Sequence, residues 1–192
     1  MMREATIRME EIYQPQFDTI YLPSALSGDH CSGFVYAYGQ SVPVKYGSIV
    51  KTQHDTSVVQ AGMLLAPQSF LCEGIECYFV DDEGIIPAKS RWYAESTIAL
   101  FVGSKQKYQS PIAKCAAMCS IGQLEKDHLL SKTDFDELRA EMKLQKPVEI
   151  RQQEYFKVEA TFSDWCMVRW ENRTAPSKLC VYLNGLLRIP EY

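Results

Sequence analysis

Hydrophobic and polar positions alternate with a period of two near both ends of the chain. In the segment 5–12, Ile7 and Met9 fall on one side and polar residues on the other, which is typical of a half-buried strand. The segment 156–162 alternates in the same way, and 165–170 begins another extended run. The pattern therefore predicts β-structure at both ends of the chain.

Turn-forming residues separate two pairs of β-prone runs. The residues 81–84 (Asp-Asp-Glu-Gly) lie between the runs 77–80 and 85–86, which predicts a hairpin. Further on, Asn184-Gly185 lies between two apolar runs, and this dipeptide tolerates the positive φ angles of a type I′ turn. We therefore predict a second hairpin, with its turn at Asn184-Gly185.

Helical spacing marks the middle of the chain. The segment 110–119 begins with Ser-Pro, an N-cap followed by a proline suited to the first helical position, and apolar residues then recur every three or four residues. Thr133 precedes Asp136 at capping-box spacing, which predicts a second helix up to the proline at 147. A third short helix is predicted over 56–66.

The order of these elements predicts an α+β fold. Strands, two or three short helices in the middle, and strands again follow one another without the regular alternation of a parallel doubly wound sheet. A mainly antiparallel sheet is therefore expected. The 192 residues have the size of one domain, and neither a repeat nor a linker divides them. A single α+β domain over 1–192 is the simplest prediction.

Composition predicts a packed core in a reducing compartment. Hydrophobic residues make up 46% and charged residues 23% of the chain, close to the average for globular proteins. The sequence has no apolar stretch typical of a secretory signal or a membrane span. Seven irregularly spaced cysteines favour free thiols over a disulfide framework. We therefore expect a cytoplasmic protein without a membrane partner.

Two cysteine pairs suggest a zinc-binding site. Four residues separate Cys72 from Cys77, and three separate Cys115 from Cys119, whereas a structural zinc site takes four such ligands. Core packing explains the same residues, because a buried free cysteine behaves as a small hydrophobe. We prefer core packing, and we expect neither a bound metal nor another cofactor.

Cysteine and histidine also suggest nucleophilic catalysis. His30 precedes Cys31, and His54 precedes Asp55, which are the residue types of a thiolate activated by an imidazole. Neighbouring side chains of an extended segment point to opposite faces. A working pair would therefore bring Cys31 or another thiol together with His54 or His128 across the fold. A small Cys/His-dependent enzyme is one hypothesis, and polar surface loops are the alternative that we favour.

An aromatic run and a basic segment suggest contact with nucleic acid. Phe34, Tyr36 and Tyr38 would share one face of an extended segment and could stack unpaired bases. The segment 87–114 carries five bases and one acid, although the net charge of the whole chain is −4. A local positive face is therefore expected. The bases that could hold phosphates are Lys89, Arg91, Lys105, Lys107 and Lys114. The alternative is a buried aromatic face with ordinary surface lysines.

Protein–protein contact is the function that we expect first. The chain has 11 tyrosines and three tryptophans, and such side chains, Trp92 among them, often anchor interfaces. We therefore predict a non-catalytic binding or assembly module that acts as a subunit of a larger complex. A single-strand-binding subunit of a nucleoprotein complex is the first alternative, and the Cys/His enzyme is the second.

Overall fold

The computed structural model describes residues 9–22, 30–44, 47–81, 84–85, 95–115, 143–163 and 177–190. Their regular structure consists of twelve strands and one 3₁₀ turn at Ile112–Cys115. The strands are β1 (Met9–Tyr13), β2 (Gln16–Tyr21), β3 (His30–Gly33), β4 (Ser41–Val44), β5 (Gly47–Val50), β6 (Ser69–Asp81), β7 (Gly84–Ile85), β8 (Ser96–Val102), β9 (Lys105–Pro111), β10 (Lys143–Ile150), β11 (Phe156–Phe162) and β12 (Lys178–Pro190).

The larger sheet is built around two antiparallel strands of 13 residues, β6 and β12. On the side away from β6, β12 pairs first with β2 and then with β1. On the side away from β12, β6 pairs with β10 and β7. All of these pairings are antiparallel. Because each long strand has partners on both sides, the two long strands form the centre of the sheet and the shorter strands form its edges.

The smaller sheet has the strand order β3, β11, β8, β9, again antiparallel throughout. A separate hairpin is formed by β4 and β5. Every second residue of β11 is buried, because alternate side chains of a strand point to opposite faces. One face of this sheet therefore contributes to the core.

The two sheets share one hydrophobic core. Buried side chains from β2, β6 and β12 of the larger sheet belong to the same cluster as those from β8 and β11 of the smaller sheet. The ring centroids of Phe79 in β6 and Phe162 in β11 are 6.1 Å apart. The described residues thus form a two-sheet antiparallel packing, while a single domain over the whole chain stays a prediction.

The α+β prediction is wrong, because the described residues are nearly all antiparallel β-structure. Of the helix predicted over 110–119, Ser110 and Pro111 end β9, only Ile112–Cys115 is helical, and 116–119 lie outside the described residues. In the described part of the chain, no helix is long and apolar enough to cross a membrane.

The other two predicted helices fail for reasons of pairing and backbone shape. The helix predicted up to Pro147 begins outside the described residues, and 143–147 belong to β10, which pairs with β6. The helix predicted over 56–66 is replaced by turns and isolated bridges. Gly62 adopts a φ of 67° there, a left-handed conformation that interrupts a right-handed helix.

The hairpin predicted at Asn184-Gly185 is also wrong, because β12 continues through both residues. The register against β6 shifts at this point, from Asn184 opposite Gly74 to Gly185 opposite Cys72, so Glu73 of β6 is the extra residue of a β-bulge. A Cβ atom on Gly185 would lie 1.9 Å from the carbonyl oxygen of Leu71. Glycine is required there by close backbone approach and not by a turn.

Three other strand predictions agree with the structure. The segment 156–162 forms β11. Val80 pairs with Ile85 in the predicted hairpin of β6 and β7. The N-terminal strand β1 covers Met9–Tyr13, whereas 5–8 and the run 165–170 lie outside the described residues.

Candidate functional site

A buried ion pair joins β2 to the residue that follows β5. Lys51 donates from Nζ to Oδ1 of Asp18, and the two side chains are 2% and 1% exposed. The other oxygen of Asp18, Oδ2, accepts the backbone N–H of Phe34 at 2.6 Å. Buried charges are costly unless they are paired and hydrogen-bonded, and Asp18 meets both conditions. Burial nevertheless raises the pKa of Asp18 in spite of the nearby Lys51 charge.

Phe34 turns the chain at the end of β3. Its φ is 65°, which is uncommon for a bulky residue, and its ring is fully buried with a centroid 5.3 Å from that of Phe156. The bond from its N–H to Asp18 stabilises this conformation. The segment 34–38 is therefore bent and not extended as predicted, with Tyr36 half-buried and Tyr38 54% exposed. These aromatic residues do not form the common exposed face that the nucleic-acid hypothesis requires.

A pocket of about 340 Å³ lies between β2, β3 and the β4–β5 hairpin. We call it the Lys51 pocket. Its polar lining includes His30, Ser32, Tyr36 and Lys51, and its apolar lining includes Cys31, Val35, Val42 and Pro43. Two residues singled out from the sequence, Cys31 and Tyr36, thus line one pocket.

The predicted catalytic pair is not found in this pocket. Cys31 is buried there, and burial raises its pKa to about 12, so its thiol stays protonated at neutral pH. His54 is exposed in the turn 52–55 and does not line the pocket. His128 lies outside the described residues. His30, which does line the pocket, was considered only as a neighbour of Cys31.

Three of the four cysteines proposed as zinc ligands are described, and all three are buried in the core. Cys72 donates its thiol to the carbonyl of Gly74 at 3.4 Å, and burial raises its pKa to about 12. Cys77 and Cys115 are hydrogen-bonded to each other, which lowers the pKa of Cys115, while burial holds that of Cys77 well above its usual value. Cys119 lies outside the described residues. Among those that are described, no group of three or more possible ligands could hold a metal ion.

The predicted basic face is only partly described. Lys105 and Lys107 are exposed on β9, and Lys114 is exposed on the 3₁₀ turn. Lys89, Arg91 and Trp92 lie outside the described residues. Lys107 shares a surface depression with two other basic residues but also with two glutamates, which reduces the local positive charge. The positive face stays a prediction.

A second, mostly apolar cleft of about 300 Å³ lies between the segment 57–68 and the paired strands β1 and β12. We call it the Leu65 cleft. Val59 and Leu65, which line it, are 66% and 41% exposed. Its apolar lining is Ile12, Val58, Val59, Met63, Leu64, Leu65, Leu187 and Ile189. Sequence reasoning missed this site because these residues come from three separate segments.

An aromatic ladder crosses the outer face of the larger sheet and was also missed. Phe17 and Tyr182 stack with centroids 5.9 Å apart, and Tyr78 and Tyr182 stack at 6.0 Å. The hydroxyls of the two tyrosines are 3.3 Å apart. Tyr182 is the partner of Phe17 in one strand pairing and lies beside Tyr78 across another. The ladder depends on the register of three strands, which the sequence does not reveal.

Fold and sites together define a class of protein: a two-sheet antiparallel β-protein with a donor-rich pocket next to a buried ion pair and an apolar cleft at one sheet edge. The chain matches no family model, no curated protein and no solved structure. Its function is therefore inferred from the geometry of its own residues.

Proposed function

We propose that this chain is a non-catalytic binding module that acts through protein–protein contacts, and that it binds an extended segment of its partner beside β1. The observation that carries the proposal is the position of the Leu65 cleft, which is lined by Ile12 of this edge strand. An exposed strand edge next to an apolar groove is the arrangement used in binding by strand addition.

The edge of β1 supplies backbone hydrogen-bonding groups. Among the described residues, β1 pairs with β12 on one side and with no strand on the other. Alternate N–H and C=O groups of an edge strand point away from the sheet and can pair with another strand. A partner segment in extended conformation would satisfy these groups.

The Leu65 cleft supplies side-chain selectivity. Ile12 pairs with Leu187 and therefore shares a face with it, and both line the cleft. Every second side chain of an added strand would point to the same face. Apolar side chains at alternate positions of the partner would thus bury the exposed surface of Val59 and Leu65, which favours binding.

Charge narrows the choice of partner further. Glu10 and Glu11 are exposed on β1, and Glu11 accepts a bond from Arg188 at 2.7 Å. Opposite charges on neighbouring strands are favourable, and like charges are unfavourable. The edge therefore favours a partner strand that carries lysine or arginine over a second copy of β1, which would place acidic residues against acidic residues.

Peptide selection followed by matched variants tests the proposal. Random peptides displayed on phage are selected on the immobilised protein, and the affinities of enriched peptides are measured by calorimetry. We expect peptides with alternating apolar residues and at least one basic residue. Val59→Glu and Leu65→Glu should each weaken their binding about tenfold, because each buries a charge in the apolar contact. Val50→Glu is the matched control, since Val50 is 53% exposed on β5 and lines neither site.

A second readout distinguishes strand addition from other contacts. Hydrogen exchange of the β1 amides should slow when a selected peptide is bound, because its backbone would pair with this edge. Unchanged β1 exchange, or peptides that bind both cleft variants as tightly as the unmodified protein, would contradict the proposal.

A further inference from the structure

Lys51 has more hydrogen-bond donors than protein partners. An ammonium group carries three N–H donors, and among the described residues the one hydrogen bond of the Lys51 ammonium group is to Asp18. Its side chain is only 2% exposed, and it lines the Lys51 pocket. Because a buried donor without an acceptor costs free energy, its remaining N–H groups favour an acceptor inside the pocket.

The nearby carboxylate accepts one of the three donors of Lys51. Asp18 uses Oδ1 for Lys51 and Oδ2 for the N–H of Phe34. None of the described residues that line the pocket is acidic. Ser32 and Tyr36 also line the pocket, and their hydroxyls can act as donors. The polar residues of the lining therefore suit a ligand that brings acceptors and negative charge.

The lining also includes apolar residues. Val35, Val42 and Pro43 have no polar side-chain atoms, and the volume of about 340 Å³ lies at the small end of the range for ligand pockets. A ligand with a short aliphatic or aromatic body would cover these residues. Phosphate and sulfate lack such a body and would leave this part of the pocket unfilled.

We infer that the Lys51 pocket binds a small organic monocarboxylate. One carboxylate oxygen accepts from Nζ of Lys51, the hydroxyl of Ser32 or Tyr36 donates to the other, and the apolar body packs against Val42 and Pro43. The Asp18–Lys51 pair thus has a binding role in addition to its structural one. This site is separate from the Leu65 cleft and does not depend on the function proposed for it.

A matched pair of probes tests the charge requirement. Phenylacetate and phenylacetamide have the same shape, but only phenylacetate carries a carboxylate. Each is titrated into the isotopically labelled protein, and binding is followed through backbone amide shifts. We expect saturable shifts at Ser32, Tyr36 and Val42 with phenylacetate. Phenylacetamide should bind about tenfold more weakly or worse, because it lacks the charge-assisted hydrogen bond.

Two variants test the location. The double variant Asp18→Asn/Lys51→Met removes the ammonium without leaving a buried charge unpaired, and it should bind both probes equally weakly. Val42→Trp fills the pocket and should abolish phenylacetate binding. It replaces the double variant as the test if the double variant fails to fold. Val50→Trp on the exposed face of β5 is the control and should bind as the unmodified protein does.

Three outcomes would overturn the inference. The first is equal affinity of the unmodified protein for the acid and the amide. The second is full phenylacetate binding by a folded double variant or by folded Val42→Trp. The third is the absence of any saturable shift at the pocket residues.

Discussion

At the scale of single residues, Asp55 connects an exposed turn to the edge of β2. Its Oδ1 accepts the hydroxyl of Tyr21 at 2.5 Å, and its Oδ2 accepts the backbone N–H and the hydroxyl of Thr52 at 2.9 and 2.7 Å. Its carbonyl accepts the N–H of Thr19 at 2.7 Å. Burial raises the pKa of Asp55, but the hydrogen bonds from Tyr21 and Thr52 and the charge of Lys178 outweigh it, so the net pKa is lowered.

Asp55 should therefore stabilise the fold at neutral pH. A carboxyl group whose pKa is lower in the folded state stabilises that state above its ordinary pKa, and the contribution disappears as pH falls through the folded value. We expect Asp55→Asn to lower the free energy of unfolding by about 1 kcal/mol at pH 7, a small value because the site is partly exposed. The difference should shrink below about pH 4.

Urea unfolding at a series of pH values measures this difference. Tyr21→Phe removes only one of the donors to Asp55 and should give a smaller loss with the same pH dependence. A deficit of Asp55→Asn that stays constant into the acid range would show that its carboxylate charge does not contribute.

At the scale of elements, β12 shows how pairing overrides a local turn signal. Asn184-Gly185 has the composition of a hairpin turn, but β6 pairs along nearly the whole of β12, and the register shift at this point is a bulge in β6. The same effect makes 143–147 part of β10, where a helix was expected. Backbone bonds to a neighbouring strand outweigh intrinsic preferences that differ by about 1 kcal/mol per residue.

Gly185→Ala should destabilise the protein strongly. Its Cβ atom would lie 1.9 Å from the carbonyl oxygen of Leu71, so β12 and β6 would have to separate locally. We expect a loss of about 3 kcal/mol or more in the free energy of unfolding. Gly103→Ala is the matched control: Gly103 has a φ of 60° but open space around it, and its substitution should cost only about 1–2 kcal/mol.

Hydrogen exchange gives an independent readout of the same element. If β12 is continuous, exchange at Leu183 and Leu187 should be slow, because both are buried within paired strands. Equal stability of the two alanine variants, or rapid exchange throughout 183–187, would favour the turn over the bulge.

At the scale of the whole molecule, the two sheets depend on each other for their buried faces. Phe79 and Phe162 are 0% and 3% exposed, and their rings meet between the sheets. Neither sheet can keep its apolar face out of water alone, so the described sheets should unfold together.

Phe162→Ala should therefore weaken both sheets. We expect a loss of about 3–5 kcal/mol, and coincident unfolding curves from circular dichroism and from the backbone amide NMR signals of β6 and β11. A double-mutant cycle with Phe79→Ala should show coupling of about 0.5–3 kcal/mol. Tyr38→Ala is the control, since Tyr38 is 54% exposed and should change stability by less than about 0.5 kcal/mol. Separate transitions by the two probes would contradict a shared core.

The sites were predicted less well than the strands. The predicted residues Cys31 and Tyr36 do line a pocket, but its central Asp18–Lys51 pair was missed. A signal for it was present, because Asp18 lies at even spacing from the apolar Ile20 and Leu22 and so shares their buried face. Pro15 and Pro23 flank this segment, and prolines favour irregular structure over a central strand. Its partner is 33 residues away in the chain.

Sequence alone determined the segments in which polar and apolar residues alternate, such as 156–162, because alternation is a local consequence of having one buried face. It also indicated the turn between β6 and β7. Only the tertiary structure decided that Asn184-Gly185 lies within a continuous strand, that 143–147 form a strand, and that Lys51 meets Asp18 in the core. These features depend on free energy from contacts between distant segments, which exceeds local preference and leaves no local pattern in the chain.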